Sequence, residues 1–120
     1  MAGTSRRDIK VFGIPFEEAF PDLEDAEVEW QGLDLEGLPL TDEVQRMHYK
    51  SGVFQGVIHC DNPSCQEGGF EVERVIDRMF QAGEVEQAGI IVCPGWEGEG
   101  RPCVRSISYR IKLVYKTVQR

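Results

Sequence analysis

The cysteines restrict the fold of this chain more than any other feature. The 120 residues include four cysteines, grouped in two pairs. Cys60 and Cys65 enclose four residues in the stretch HCDNPSC, and the second pair encloses nine in CPGWEGEGRPC. Proline and glycine favour turns in both stretches, so each turn can bring two sulfurs towards one point. Two such turns are the usual source of a tetrahedral Zn²⁺ site. We therefore expect four structural zinc ligands: Cys60, Cys65, Cys93 and Cys103.

Other uses of the cysteines stay open at this point. Disulfides within each pair would suit a secreted protein. Four unrelated buried thiols would also be ordinary, because free cysteine behaves as a small apolar side chain. Redox use of the thiols is a further alternative. His59 could replace one cysteine as a ligand, but adjacent strand residues point to opposite faces, and His59 directly precedes Cys60.

Length and composition predict one soluble domain over residues 1–120. Apolar residues make up 41% and charged residues 28%, as in ordinary globular proteins. Apolar runs such as 89–93 are far shorter than the ~20 residues of a membrane span, and the N-terminus has no apolar stretch of the secretory type. We expect a cytoplasmic protein without membrane contact. It divides into an acidic part, 1–45, some of which could be mobile, and a zinc-binding part, 46–120.

The order of predicted elements in the second half is strand, cysteine turn, helix, strand, cysteine turn, strand. Residues 53–60, rich in β-branched and aromatic side chains, and residues 88–93 each end in a cysteine; the first predicts a strand and the second a buried strand. If they lie side by side, Cys60 and Cys93 reach the same sheet edge. Residues 70–82 have helical apolar spacing, with Gly83 as a stop. Residues 104–118 alternate apolar and polar side chains, the pattern of a strand.

The first half predicts further strands at 8–14, before Pro15, and at 26–32, where apolar and polar residues alternate. Residues 41–49 fit a helix start and a strand equally well, and both readings stay open. The predicted fold class is α+β: a mainly antiparallel sheet, one packed helix at about 70–82, and two cysteine knuckles at one end of the sheet.

Charge is spread unevenly along the chain, whose formal net charge is −8. Between Glu17 and Glu43 there are eleven acids and no Lys or Arg, whereas from Arg101 to Arg120 there are six bases and no acid. The net charge argues against general nucleic-acid binding. A local basic patch on the last strand could still bind nucleic acid, and its candidate residues are Arg105, Arg110, Lys112 and Lys116. Alternatively, the acidic and basic segments face each other in the fold, or simply face solvent.

The paired cysteines on two turns resemble the zinc-ribbon and treble-clef group of zinc-binding modules. The resemblance covers about residues 53–116. The knuckles of that group usually have two residues between paired cysteines, whereas this chain has four and nine. The resemblance implies a structural zinc ion and brings no specific function with it.

The sequence favours a binding module over an enzyme. Four cysteine ligands leave no open position on a zinc ion for substrate or water. Trp96 lies on the Gly-rich loop 94–102 and is a candidate contact for a protein partner, unless it folds over the knuckle as local cover. The alternative is a redox-responsive protein that releases zinc when its thiolates are oxidised. A homodimer paired through the edge of the last strand also stays open.

Overall fold

The long antiparallel pairing of two strands, one acidic and one basic, organises the protein. The computed structural model describes residues 9–117. The elements in chain order are β1 (Lys10–Val11), β2 (Ile14–Pro15), α1 (Phe16–Ala19), β3 (Leu23–Leu33), β4 (Gln45–His48), β5 (Cys65–Gln66), α2 (Val72–Ala82), β6 (Glu86–Val92), β7 (Trp96–Glu97), β8 (Arg101–Pro102) and β9 (Ser106–Tyr115).

The main sheet is antiparallel and has the strand order β4-β3-β9-β6. Side chains on its inner face belong to the same buried cluster as the apolar stripe of α2. In β9 the inner residues are buried at alternate positions: Ile107, Tyr109, Ile111 and Leu113. A three-stranded sheet of β5, β7 and β8 carries the cysteine turns. The predicted α+β class, with a mainly antiparallel sheet and a packed helix, is confirmed.

The helix agrees with its sequence pattern. It was expected at 70–82, and α2 covers Val72–Ala82 with four buried apolar residues, Val72, Val75, Ile76 and Met79. Gly83 ends it in the left-handed conformation, with φ +72°, and its N–H bonds to the carbonyls of Met79 and Phe80. Glycine adopts this conformation without the steric cost that a Cβ imposes.

Residues 53–60 do not form the expected continuous strand. Their backbone makes only isolated bridges, Val53 with His48 and Ile58 with Phe70. The Gly56 carbonyl instead accepts a hydrogen bond from the N–H of Glu73 in the first turn of α2. The segment therefore follows the helix N-terminus and does not lie beside β6. The strand expected at 88–93 does exist as β6, but it is an edge strand with alternate residues exposed, not a buried one.

The N-terminal strand also differs from expectation. Residues 10–15 form a short hairpin of β1 and β2, because Phe12 and Gly13 both have positive φ, 52° and 77°, and reverse the chain. Asp8, the first residue of the predicted strand, lies outside the described residues. The alternation at 26–32 belongs to β3, and the open choice at 41–49 is resolved as strand β4. In the last predicted strand, Val118 lies outside the described part.

The acidic and basic segments face each other, which is one of the possibilities that the charge pattern left open. In the β3–β9 ladder, Glu27 is opposite Lys112 and Glu29 is opposite Arg110. On the other side of β9, Glu86 of β6 is opposite Lys112, and its carboxylate lies 3.6 Å from the Arg110 guanidinium. Opposite charges at directly paired positions stabilise a sheet.

Because β9 lies between β3 and β6, it has no free edge. The sequence left open whether two copies pair through the edge of the last strand, and in this sheet both edges of that strand are already occupied. Among residues 9–117, no helix is long and apolar enough to cross a membrane.

Replacing Gly83 by Ala should lower the free energy of unfolding by about 1 kcal/mol, because a Cβ disfavours the left-handed conformation. The position has open space within 4 Å, so the cost is conformational and not a clash. Gly83→Asn should cost less, because asparagine tolerates this conformation. Urea unfolding would measure both midpoints; equal losses for Ala and Asn would contradict the explanation.

Candidate metal centre

The four cysteines predicted as ligands meet at one point. Their Sγ atoms all lie within 4.8 Å of one another. The sulfurs of Cys60 and Cys103 are 3.7 Å apart, and those of Cys65 and Cys93 are 3.6 Å apart. Four sulfurs arranged tetrahedrally about 2.3 Å from a zinc ion would be separated by about 3.8 Å. A disulfide needs about 2.05 Å, and all four thiols are free. The cluster can hold a metal ion.

Three of the cysteines donate backbone hydrogen bonds that hold them in place. Cys93 directly follows β6, and its N–H bonds to the Arg105 carbonyl at the start of β9. The N–H of Cys103 bonds to the Gly95 carbonyl, and that of Cys65 to the Asn62 carbonyl within the first turn. The small sheet joins the turns, since Cys65 pairs with Glu97 of β7, which pairs in turn with Arg101 of β8.

Two glycines make room for the sulfurs. A Cβ built on Gly68 would lie 2.3 Å from the sulfur of Cys65 and 2.5 Å from that of Cys93. On Gly95 a Cβ would lie 2.6 Å from the Cys65 sulfur and 2.5 Å from a backbone carbonyl oxygen. Neither position has the left-handed φ that favours glycine. The need for glycine at both therefore comes from the packed sulfurs and backbone.

Hydrogen-bond donors point at two of the sulfurs. The N–H of Gly69 lies 3.4 Å from the Cys93 sulfur, and the side-chain amide of Asn62 lies 3.4 Å from the Cys103 sulfur. The same Asn62 amide contacts the Glu97 carboxylate, which holds its orientation. Donors aimed at sulfur stabilise the thiolate form that a metal requires.

The thiol pKa values differ across the cluster. Burial raises the pKa of Cys60 to about 11, and burial together with the neighbouring thiols raises that of Cys65 well above its usual range. Burial also opposes ionisation of Cys103, but hydrogen bonds from the Arg105 backbone and from Asn62 outweigh it and lower that pKa to about 7. A metal that binds all four thiolates must therefore displace protons at neutral pH.

His59 does not join the cysteine cluster. Its side chain is exposed, and it is absent from the ligand group formed by the described residues. The alternation argument against His59 assumed a strand that residues 53–60 do not form, so its distance from the sulfurs, and not strand geometry, separates His59 from the group.

Sequence reasoning missed the residues that surround the sulfurs. Asn62, Gly68 and Gly69 occupy ordinary positions of a turn, and nothing in their spacing indicates contact with a thiol. It also missed a second cluster of ionisable side chains. There, His48 Nδ1 lies 3.6 Å from the Asp25 carboxylate and 3.2 Å from that of Glu27. The β3–β4 register places His48 opposite Glu27, but the sequence left the type of the β4 segment open.

The expected basic surface is divided by acidic neighbours. Arg105 is half-buried and its Nε lies 3.3 Å from the Asp61 carboxylate, without a hydrogen bond. Arg110 and Lys112 face the glutamates of β3 and β6. Lys116 is exposed beyond the end of β9. Trp96 lies in β7, between β5 and β8, with 41% of its surface exposed.

The sequence matches no protein-family model. Searches of the curated proteins and of the solved structures likewise found no significant match.

Replacing Gly68 or Gly95 by Ala should weaken metal binding at the cysteine cluster by about tenfold or more, the range seen when residues that position metal ligands are changed. The physical reason is that the new Cβ would overlap a ligand sulfur. A competition titration with a chromogenic chelator would measure the affinity.

Gly98→Ala is the matched control, because Gly98 lies in the same loop but has open space around it and φ +55°. This variant should lose stability through backbone strain and keep its affinity for the metal. Equal affinity losses in all three variants would show that the sulfur contacts are not the cause.

Proposed function

We propose that this protein is a zinc-binding module in which four thiolates hold one structural Zn²⁺, and that it acts by binding another protein. The single observation that supports this most strongly is the mutual approach of the four sulfurs at the separations of a tetrahedral site. Tetrahedral sites with four sulfur ligands favour zinc or iron over harder cations. Zinc supplies structural rigidity without redox chemistry of its own.

A structural role fits the ligand set. All four positions of a tetrahedral ion would be filled by protein sulfur, which leaves none for water or substrate. Gly68 and Gly95 lie close to the sulfurs of Cys65 and Cys93, and the Gly69 N–H points at the Cys93 sulfur. The free thiols suit a reducing compartment, so we propose the cytoplasm as the location.

A protein partner is favoured over nucleic acid. The bases of β9 lie beside glutamates of both neighbouring strands, so little free positive potential remains for phosphate groups. The net charge of −8 acts in the same direction. Trp96 on the knuckle sheet is the candidate contact, because a partly exposed tryptophan offers a large apolar surface to a partner.

Protein purified without chelators should contain one zinc ion per chain and four free thiols after denaturation. Native mass spectrometry and a thiol assay would measure both. At a zinc concentration a thousandfold above the dissociation constant, binding should stabilise the fold by about 4 kcal/mol. Chelation should therefore lower the melting temperature. Four free thiols without any metal would contradict the proposal.

Cys65→Ser should weaken zinc binding more than the roughly 10–100-fold loss typical of residues that only orient ligands. The matched control is His59→Ala, which changes an exposed residue beside Cys60 and should keep the affinity. Loss of zinc in the histidine variant would mean that His59, and not one of the cysteines, completes the site.

A redox-responsive switch is the second candidate, and the close sulfurs of the two turns favour it. Oxidation would join Cys60 to Cys103 and Cys65 to Cys93, since these pairs are 3.7 and 3.6 Å apart. For each disulfide, two thiolates would give two electrons to one hydrogen peroxide, which takes up two protons and leaves as two waters. The zinc ion would be released.

Mild peroxide should then release zinc and produce these cross-turn disulfides, and a thiol reductant with added zinc should restore the original state. Peptide mapping would identify the bonds. Irreversible sulfinic or sulfonic acids, or aggregation in place of disulfides, would exclude the switch and leave the structural role intact.

A further inference from the structure

Strand β6 carries unpaired backbone groups along one side. The Cys93 N–H and the Val85 carbonyl both bond towards β9. Because backbone groups alternate in direction along an antiparallel strand, the N–H and C=O groups of the even-numbered residues point away from β9. In the part of the chain that the structure describes, no strand or loop bonds to these groups, which belong to Ala88, Ile90 and Val92.

The opposite edge of the sheet is protected, which makes the open edge of β6 distinctive. Strand β4 has only four residues and includes Arg46, which pairs with Glu29 at 3.6 Å. The turn after β4 folds back, and the His48 N–H bonds to the Val53 carbonyl. A short strand, a charge and a covering turn are common ways to block edge-to-edge pairing.

No such device protects the middle of β6. Between Glu86 and Pro94 the strand has no charge and no proline. Ile90 and Val92 are 65% and 67% exposed, on the outer face of the edge. An exposed, uncharged, aliphatic edge strand is a template for pairing with another strand, so these side chains and backbone groups are suited to an interface.

The helix beside this edge carries a self-complementary charge pattern. A cleft of about 620 Å³ separates α2 from the end of β6, and its helical wall includes acids and bases in alternation. They are Glu71, which directly precedes α2 and pairs with Arg74 at 2.8 Å, and then Arg74, Asp77 and Arg78 of the helix. Two antiparallel copies of this helix would bring unlike charges together, for instance Glu71 of one copy against Arg78 of the other. A second copy of the chain therefore suits both the strand and the helix.

We propose that this protein forms a two-fold symmetric dimer in which the β6 strands of two copies pair antiparallel and join the main sheets into one of eight strands. With Ile90 opposite Ile90 of the second copy, Ala88 meets Val92, aliphatic against aliphatic. The two α2 helices then lie on the same side of the joined sheet. The ladder ends at Pro94, which has no N–H to donate.

The dimer goes beyond the proposed zinc function and does not rest on it. The two are neighbours in the fold, because Cys93 and Pro94 directly follow β6. Zinc content and oligomeric state are measured separately, so each proposal can fail without the other. One zinc per chain in a protein that stays monomeric would overturn only the dimer, and a dimer without metal would overturn only the zinc site.

The test is sedimentation equilibrium of the full-length protein as purified, over micromolar to millimolar concentrations. Wild-type protein should approach twice the chain mass of 13.6 kDa. Ile90→Lys should remain at the single-chain mass, because the lysine charge would lie opposite the same charge in the second copy. Val114→Lys is the matched control: Val114 is exposed on the same outer face but lies on the central strand β9. That variant should dimerise like wild type.

Hydrogen exchange by NMR gives a second, site-specific readout. In the dimer the amides of Ile90 and Val92 should exchange slowly, and in Ile90→Lys the Val92 amide should exchange rapidly while those inside β9 stay protected. Folding of each variant is checked by this same β9 protection. A monomeric wild type, fast exchange at Ile90 in a dimer, or a dimer that Val114→Lys breaks and Ile90→Lys spares would each overturn the proposal.

Discussion

The pairing of β3 with β9 is the contact on which the remaining structure depends. It joins residues 23–33 to residues 106–115 along nearly their whole length. Its inner side buries aliphatic and aromatic residues, while its outer side sets Glu27 and Glu29 against Lys112 and Arg110. The acidic first part of the chain therefore becomes the centre of the sheet and neutralises the basic last strand. Together with β6 on the other side, this pairing leaves β9 no free edge and places glutamates beside its bases.

The position of the four-cysteine cluster depends on this sheet through β6 and β9. Because the two strands run antiparallel, the end of β6 and the start of β9 lie at the same end of the sheet, and these points adjoin Cys93 and Cys103. The other two cysteines arrive by a different route. The extended segment before Cys60 is held by backbone bonds of Gly56 and Ile58 to the N-terminal side of α2. Cys65 is held by its own turn and by the pairing of β5 with β7. The main sheet, the start of the helix and the small sheet thus all contribute to the position of the cluster.

Sequence patterns predicted the elements whose signal is local. The helix at Val72–Ala82 follows from a regular apolar stripe and a glycine stop, and β9 from strict alternation. The cysteine spacing predicted the cluster, because two turns with two thiolates each have few other uses in a reducing environment. The strand prediction for residues 53–60 was wrong because β-branched composition indicates an extended backbone, but not the hydrogen-bond partner of that backbone. In this case the partner is the start of a helix, which no local pattern encodes.

The sequence itself determined the number of thiols, the turn residues and the side-chain periodicity. These local features were sufficient to predict the fold class and the four clustered cysteines. Only the tertiary structure decided which strand lies at the edge and which charges meet. It also decided that Gly68, Gly95 and Asn62 contact the sulfurs. These features depend on contacts between residues far apart in the chain, and such contacts follow from the packing of the whole core. The exposed edge of β6 is of this kind, since its apolar run indicates a buried strand until the order of the sheet is known.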